Sequence, residues 1–357
     1  MPKDPTLIFY TNEPANAETP LDALRENFIT PVDLFYMRNH GPVPEMDIKN
    51  YRLEVKGMVE NELRLSLDEL MNDFPKQTVM ATLQCAGNRR DQLIEIAPVP
   101  GEVPWQSGAI GNATWSGARL KDILKKAGIK KGAEYAAFMG ADDVIRNGKN
   151  VGFGASIEID KALCDEVLLA YEMNGKPLEP IHGAPFRVVV PGYIGARSVK
   201  WLTEITLQKT PSNNYFQAHA YQLFPPQASA ETVDWDSGLQ LSELQVNCVI
   251  TFPQKNNVVK SKTLNVQGYA LGAKKIARVD VSIDGGETWS TAKLLHQKEK
   301  WAWAFWEADI QLPNGEHEII ARAFDTASNT QPEDAKHVWN FKGYMNNAWH
   351  RVKICVE

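Results

Sequence analysis

Apolar and polar positions along the first half of the chain predict a mixed α+β domain. Tyr51–Val59 (YRLEVKGMV) alternates with a period of two, which is typical of a strand with one buried face. Ser66–Phe74 predicts a short helix capped by its first residue, and Gly117–Gly128 predicts an amphipathic helix that ends at a glycine. Thr78–Gln84 predicts another strand. Residues 91–115 are punctuated by Gly and Pro and predict a loop.

The pattern changes near residue 246 and predicts a second domain of a different class. Residues 246–357 contain short alternating strands, and Asp-Gly-Gly at 284–286 predicts a hairpin. Six or seven strands in about 110 residues predict an all-β immunoglobulin-like sandwich. Residues 1–30 are polar and predict an extended arm lying over the first domain at 31–226. The proline-rich, acidic stretch at 227–245 predicts a linker.

Composition excludes several classes of function. The chain has 357 residues, 43% of them hydrophobic and 23% charged, which fits a soluble protein of two domains. The net charge of −6, with acids and bases interspersed, argues against a nucleic-acid partner. No apolar run is long enough to span a membrane, and the first residues do not resemble a signal peptide. The four cysteines are far apart, which argues against a zinc site or a disulfide scaffold.

The stretch Ala81–Arg90 (ATLQCAGNRR) carries the first candidate chemistry. Cys85 follows a predicted strand, and two arginines follow a bend of small residues. Guanidinium groups favour the thiolate form of a nearby cysteine, which is its metal-binding form, and they also bind oxyanions. The stretch is therefore consistent with a metal site that acts on an oxyanion. From the residues alone, inert core packing of Cys85 stays open as the alternative.

This motif resembles the signature of the sulfite oxidase family of molybdenum enzymes, and further segments resemble that family in the same order. These segments are Phe35–Pro44 (FYMRNHGPVP), Val167–Leu202, Tyr215–Pro226 (YFQAHAYQLFPP) and His337–Val352 (HVWNFKGYMNNAWHRV). The resemblance, to the plant or bacterial type without a haem domain, implies an α+β molybdopterin-binding domain followed by an immunoglobulin-like dimerisation domain. It also implies molybdenum and molybdopterin, a pyranopterin dithiolene, as cofactors, with Cys85 binding the metal.

The resemblance implies roles for individual residues. Arg38 and Arg90 would hold the substrate oxyanion, Trp105 would line its pocket and Tyr221 would be the active-site tyrosine. Lys342 stands where sulfite oxidases usually have arginine. The stretch PGEVPW before Trp105 lacks a lysine that vertebrate members have there. The residues expected to bind the pterin cofactor, besides Cys85, are Asn39, His40, His182, Arg187, Arg197, Ser198 and Lys200. By composition alone, the cations near 187–200 could instead form an exposed basic edge.

The resemblance implies a homodimeric enzyme that oxidises sulfite to sulfate. Its electrons would pass to an external acceptor, a cytochrome or oxygen, in the cytoplasm or the periplasm, without a membrane or nucleic-acid partner. Two alternatives stay open. Lys342 and the run Met345–Asn347 favour a nitrate or sulfoxide reductase on the same scaffold, whereas Tyr221 favours sulfite. A protein that kept the fold but lost the cofactor is the other alternative, and the intact set of Cys85, Arg38, Arg90 and Tyr221 argues against it.

Overall fold

Short strands and helices build the N-terminal part of the chain, and the computed structural model describes residues 3–295 and 299–357. The strands of this part are β1 (Ile8–Asn12), β2 (Ala15–Glu18), β3 (Arg52–Gly57), β4 (Leu63–Ser66), β5 (Lys76–Gln84), β6 (Ile110–Arg119), β7 (Tyr135–Gly140), β8 (Ile145–Arg146), β9 (Lys149–Asn150), β10 (Gly154–Glu158), β11 (Leu168–Met173), β12 (Lys176–Pro177), β13 (Arg187–Val189), β14 (Leu202–Gln208), β15 (Gln222–Leu223) and β16 (Leu239–Gln240). The α-helices of the described residues are α1 (Leu21–Glu26), α2 (Leu67–Asn72), α3 (Arg90–Ile94), α4 (Leu120–Ala127) and α5 (Ile159–Ala162). No helix in these described ranges is long and apolar enough to cross a membrane.

Two sheets share the core of the first domain. One has the strand order β10-β7-β14-β3-β4, with β3 and β14 parallel. The other has the order β12-β11-β6-β5, and β13 also pairs with β11. Helix α4 buries its apolar face, including Leu120, Ile123 and Leu124, in the same core as Leu169 and Ile205. Burying each such aliphatic side chain contributes about 1.5–3 kcal/mol, so this packing holds the helix and both sheets together.

The structure confirms the predicted cap and corrects two predicted boundaries. Ser66 caps α2 with a reciprocal capping box to Glu69, in which the Ser66 N–H donates to Glu69 Oε2 at 2.8 Å. The loop predicted at 91–115 was wrong, because α3 and the start of β6 lie there. Helix α4 begins after β6 instead of at Gly117, whose Cβ would collide with the Leu169 carbonyl oxygen. The small residues of β6 therefore permit close approach of β11 and do not mark a loop.

The C-terminal part is an all-β sandwich, which confirms the predicted fold class. Its strands are β17 (Asn247–Phe252), β18 (Val258–Val259), β19 (Thr263–Leu271), β20 (Ile276–Ser282), β21 (Ser290–Thr291), β22 (Lys293–Leu295), β23 (Ala304–Gln311), β24 (Gly315–Asp325) and β25 (His350–Val356). The sheet orders are β17-β19-β23-β22 and β18-β25-β24-β20-β21. The predicted Asp-Gly-Gly turn connects β20 to β21, which pair antiparallel. Apolar side chains such as Val266, Val279 and Ile319 fill the space between the sheets.

The N-terminal arm is more regular than the extended segment that its composition predicts. β1 and β2 pair as an antiparallel hairpin, and α1 follows directly. The Arg25 guanidinium lies 4.9 Å from the centre of the Phe252 ring, and the rings of Phe28 and Phe305 meet edge to face at 5.4 Å. The arm therefore packs on the second domain as well as on the first.

A fully buried guanidinium joins the two domains. Arg89, at the end of the cysteine motif, donates from Nη1 to Asn247 Oδ1 at 2.7 Å and to the Ala348 carbonyl oxygen at 2.8 Å. Its Nη2 donates to Gln92 Oε1 at 2.8 Å. Burial lowers the pKa of Arg89 to about 10, which leaves the side chain charged at neutral pH. Both domains therefore depend on the hydrogen bonds of this one side chain.

Replacing Arg89 with leucine is expected to reduce the free energy of unfolding by about 2–4 kcal/mol, because the acceptors on the second domain lose a charged donor. Urea unfolding followed by tryptophan fluorescence measures this loss. The control is Arg64→Leu, whose side chain is 74% exposed. A loss for Arg89→Leu no larger than that of the control would contradict the bridging role.

Candidate active site

The turn after β5 places Cys85 at the end of a buried strand. The Cys85 N–H donates to the Ala109 carbonyl oxygen at 2.9 Å, and the Gly87 N–H approaches Cys85 Sγ at 3.4 Å. Arg89 adopts a left-handed conformation with φ of 66°, which reverses the chain before α3. A Cβ at Gly87 would collide with the Arg90 guanidinium, so the glycine of the motif is required for this packing. The turn thus fixes the thiol and sends the two arginines in different directions.

A cavity opens next to Cys85. Its walls come from Phe35–His40, the end of β5, and the segment between Ile181 and Trp201. Apolar rings and a few polar groups line it together, which is typical of a ligand site. Most of the predicted site residues line this cavity: Arg38, Asn39, His40, Cys85, His182, Arg187, Ser198, Lys200 and Tyr221.

Three of these residues form a hydrogen-bonded chain. Arg38 Nη2 lies 3.1 Å from His40 Nδ1, and His40 Nε2 lies 2.8 Å from the Tyr221 hydroxyl. Burial, together with the charge of Arg38, holds the pKa of His40 well below its usual range, so the ring is neutral. Arginine can only donate, so Nδ1 accepts and Nε2 carries the proton. His40 then donates to the Tyr221 oxygen, which leaves the phenolic hydrogen available for a group in the cavity.

The protonation states of Arg38 and Tyr221 suit the binding of an anion. Burial disfavours the charged form of Arg38, but Tyr221, Cys85 and Glu102 outweigh it and raise the pKa of Arg38. Burial raises the pKa of Tyr221 above its usual value, so the phenol keeps its proton near neutral pH. This side of the cavity therefore offers a permanent cation and an O–H donor.

Two further basic residues, Arg187 and Lys200, also line the cavity. Arg187 donates to the carbonyl oxygens of His182 and Ser198, each at 3.0 Å, and burial lowers its pKa to about 10. Lys200 donates to Asn39 Oδ1 and to the Ile181 carbonyl oxygen. Burial and the charge of Arg187 lower the pKa of Lys200 well below its usual range. These cations bond mainly to neutral groups, so an anionic ligand would relieve the cost of burying them.

Comparisons with known proteins identify the family to which this fold and cavity belong. The model of the oxidoreductase molybdopterin binding domain matches residues 40–216, and that of the Mo-co oxidoreductase dimerisation domain matches residues 239–357. The chain is 42% identical over 367 residues to the mitochondrial sulfite oxidase of Macaca fascicularis, covering 99% of this chain and 66% of that protein. It is 40% identical over 377 residues to the sulfite oxidase of Arabidopsis thaliana, covering 99% and 95%. The chain belongs to the sulfite oxidase family.

A solved structure gives the same result for the fold of this family member. The crystal structure of the sulfane dehydrogenase SoxCD from Paracoccus pantotrophus matches with a TM-score of 0.82 and 27% identity, covering 98% of this chain and 88% of that chain. The match extends over both domains, so the molybdopterin domain and the β-sandwich are both part of the shared fold. The chain spans about two thirds of the length of the Macaca relative and nearly all of the Arabidopsis one.

The cavity fits the molybdenum-pterin cofactor that the family implies. Cys85 provides a soft sulfur ligand, and the lining cations suit a phosphate-bearing group. Asp142 also lines the cavity, and its buried Oδ1 has no hydrogen-bond partner among the described residues. Such an oxygen can accept a hydrogen bond from a ring N–H of a bound pterin. The donor set and this orphaned oxygen therefore agree with the family's cofactor.

Arg90 and Lys342 lie outside this cavity, although the sequence predicts that they bind substrate. Arg90 donates to the carbonyl oxygens of Val103 at 2.6 Å and Gly343 at 3.1 Å, and its guanidinium lies 5.1 Å from the centre of the Tyr344 ring. Lys342 Nζ donates to Glu102 at 2.7 Å. Both cations thus lie close to Tyr344, and their contact with substrate stays a prediction.

Trp105 and Arg197 are also not among the residues that line the cavity. Trp105 is fully buried, its ring meets that of Tyr10 edge to face at 5.1 Å, and its Nε1 has no partner in the described parts of the chain. Arg197 is buried and donates to the Leu241 carbonyl oxygen. The buried Nη1 of Arg197, like the Trp105 Nε1, has no hydrogen-bond partner among the described residues, and contact of either side chain with a ligand stays a prediction.

Sequence reasoning missed three polar residues that the structure brings to this region. Asp142 follows β7 in the sequence GAD, and Glu102 lies in the stretch PGEVPW, whose only predicted feature was the lack of a lysine. Lys3 comes from the N-terminal arm, and its Nζ lies 2.5 Å from His182 Nε2. An acid directly after a buried strand was a usable signal for Asp142, whereas no local pattern marks Lys3.

Glu18, behind Trp105, is expected to make stability depend on pH. Burial raises its pKa to about 7, although it accepts hydrogen bonds from the Tyr10 hydroxyl at 2.7 Å and the Gln106 N–H at 3.2 Å. A raised pKa stabilises the folded state below the unfolded pKa, and this contribution is lost as the pH rises through the folded value. Between about pH 4 and about pH 8, the wild type should therefore lose on the order of 3 kcal/mol relative to Glu18→Gln.

Urea unfolding of both proteins at several pH values measures this difference. Glu13→Gln, at an exposed position of the same hairpin, is the control. A difference between wild type and Glu18→Gln that stays constant with pH would contradict the raised pKa.

Proposed function

We propose that this chain oxidises sulfite to sulfate, using molybdenum bound by Cys85 and molybdopterin. The observation that carries the proposal is the convergence of Cys85, Arg38 and the His40–Tyr221 pair on one cavity. This arrangement combines a soft metal ligand with a cation and a hydroxyl donor. Family membership supports the same reaction, since the relatives described above are sulfite oxidases.

In this proposal the residues on one side of the cavity bind and orient the oxyanion. Arg38 attracts sulfite by its charge, and the Tyr221 hydroxyl donates a hydrogen bond to a sulfite or sulfate oxygen. His40 holds that hydroxyl in place by donating to its oxygen. Arg90 and Lys342 add positive charge from behind Tyr344, which stacks on Tyr221 with ring centres 5.3 Å apart. The hydrophobic walls around these groups exclude bulk water and strengthen the attraction.

The other side of the cavity holds the cofactor. Cys85 would bind the metal, Arg187, Lys200 and His182 would bind the anionic end of the pterin, and Asp142 would accept from its ring. The bound group supplies the two-electron oxidation, which no protein side chain can perform. Ser198 supports the site indirectly, because its Oγ accepts from the Val190 N–H at 3.0 Å.

The assembly and electron acceptor follow from the same proposal. The dimerisation domain supports a homodimer. We propose a division into an arm at 1–30, a catalytic domain at 31–226, a linker at 227–245 and a sandwich at 246–357. The two electrons taken from sulfite pass to a separate cytochrome or to oxygen, in the cytoplasm or periplasm.

Nitrate or sulfoxide reduction on the same scaffold is the second candidate, favoured by Lys342 and Met345–Asn347. Met345–Asn347 line a small pocket beside Cys85 and Ala86, separate from the cavity of Arg38 and Tyr221. Asn346 Nδ2 donates to the Arg89 carbonyl oxygen at 2.9 Å, and Asn347 Nδ2 donates to the Val246 carbonyl oxygen at 3.2 Å. Both asparagines thus connect backbone segments and do not line the cavity of Arg38 and Tyr221.

Reduction of an artificial one-electron acceptor by sulfite tests the proposal on purified protein of measured molybdenum content. Saturable, sulfite-dependent turnover is the expected result. Metal-loaded protein that reduces nitrate with a reduced dye, and does not oxidise sulfite, would overturn the proposal in favour of the second candidate.

Replacing Cys85 with serine is expected to abolish sulfite turnover, because a hydroxyl is a poor substitute for a soft thiolate ligand. Cys164→Ser is the control, since Cys164 donates only to the Asp160 carbonyl oxygen and is not among the cavity residues. Molybdenum content and acceptor reduction are measured on both variants. More than a trace of activity in Cys85→Ser would refute the ligand role.

Replacing Tyr221 with phenylalanine is expected to lower kcat/KM for sulfite by about tenfold to a hundredfold, the equivalent of one hydrogen bond to a charged group. Tyr193→Phe is the control, because the Tyr193 hydroxyl donates to Glu158 at 3.1 Å and the residue does not line the cavity. Steady-state kinetics measure both variants. Equal kcat/KM values for Tyr221→Phe and wild type would show that the hydroxyl does not contact the anion.

A further inference from the structure

A largely buried carboxylate lies among the residues expected to hold the oxyanion. Glu102 belongs to the loop between α3 and β6, and its side chain is 14% exposed. Lys342 Nζ donates to Glu102 Oε1 at 2.7 Å, and Arg90 Nη2 lies 3.7 Å from Glu102 Oε2. Lys342 comes from the segment between β24 and β25, so the acid joins cations of both domains.

Glu102 offsets part of the positive charge at the substrate site. Burial alone would raise its pKa, but Arg90 and Lys342 outweigh burial and hold the pKa below the usual range, so the carboxylate is charged. Arg90 and Lys342 therefore already share an anion before any substrate binds. Arg38, by contrast, bonds to uncharged groups of Asn16, Asn39 and His40.

Tyr344 connects this ion cluster to the cavity. The Tyr344 ring stacks on Tyr221 on one side, and the Arg90 guanidinium and Lys342 Nζ lie 5.1 Å and 5.9 Å from its centre. The negative charge of Glu102 also favours the cationic form of Arg38 and disfavours ionisation of Tyr221. The negative charge of Glu102 would also repel an anion held by Arg38 and Tyr221.

We propose that Glu102 is a specificity-determining residue, which weakens the binding of doubly charged oxyanions at this site relative to singly charged ones. The proposal rests on the proposed function, because it takes the Arg38–Tyr221 cavity as the oxyanion site. Coulomb repulsion is proportional to the charge of the ligand, so the carboxylate penalises a dianion twice as much as a monoanion. Sulfate, the product, is a dianion, and the carboxylate would therefore favour its release.

Binding of sulfate and of nitrate to the metal-loaded enzyme tests the proposal by titration calorimetry, without reliance on turnover. Glu102→Gln removes the charge and keeps the shape. The expected result is a decrease of at least about tenfold in the Kd for sulfate. The Kd for nitrate should decrease by only about threefold. Nitrate carries half the charge of sulfate, so it loses half the repulsion energy, and its Kd changes by the square root of the factor found for sulfate.

Two controls separate charge from structure. Glu102→Asp keeps the carboxylate and should leave the Kd for sulfate within about twofold of wild type. Glu95→Gln removes a charge from a surface pair with Lys255 and should change neither Kd. If Glu102→Gln does not fold, Glu102→Ser removes the same charge with a smaller side chain. It should lower the Kd for sulfate more than the Kd for nitrate.

The outcomes distinguish this inference from the proposed function. Equal changes in the two Kd values, or no change in Glu102→Gln, would overturn the role of Glu102 even if the wild type oxidises sulfite. For Glu102→Ser the corresponding refutation is an equal fall in the Kd values of both anions. Failure of the loaded wild type to oxidise sulfite would overturn the proposed function, while the ratio of sulfate to nitrate affinity would still report on the carboxylate.

Discussion

The hydrogen bonds of one buried guanidinium determine how the catalytic turn is built. Arg89 has a left-handed backbone, which costs a residue with a side chain about 1–2 kcal/mol. Its charge-assisted bonds to Asn247 and the Ala348 carbonyl offset that cost. Because these acceptors belong to the second domain, the conformation of the turn that carries Cys85 depends on the sandwich. The β-sandwich is therefore a structural support of the site in addition to its match to a dimerisation domain.

The cavity also contains buried basic side chains. Arg187 and Lys200 donate to carbonyl and amide oxygens, so dipoles solvate much of their charge, and the negative charge of Asp142 also favours the charged form of Lys200. Burial shifts the pKa of both downward, which means that burying their charged forms costs folding free energy. A ligand that binds only the folded state returns such stability by mass action. The cofactor side of the cavity is thus prepared for an anion.

Local rules were sufficient for much of the fold. Period-two alternation predicted β3, and the Ser66 cap predicted the start of α2, because both depend on residues close together in sequence. The rules failed for β6, where glycine and alanine reflect close packing against β11 and resemble loop composition. The long-range contacts of the arm with Phe252 and Phe305 were likewise absent from any local pattern.

The residues of the candidate site likewise divide into those that sequence motifs located and those whose position depends on the fold. Residues that line the cavity lie in dense motifs, and the resemblance located Arg38, Cys85 and Tyr221 together. Arg89 and Arg90 are adjacent and chemically identical, yet the left-handed turn directs one to Asn247 and Ala348 and the other to Gly343 and Tyr344.

Glu102 shows why some determinants of a site cannot be found from sequence spacing. Its partner Lys342 is 240 residues away, so the stretch PGEVPW contains no sign that the acid is paired. Judged by itself, Lys342 keeps the positive charge of the usual arginine. Judged with Glu102, that charge is already partly compensated. The electrostatic character of this ion cluster is therefore a property of the domain interface, where the first domain supplies Glu102 and Arg90 and the second supplies Lys342.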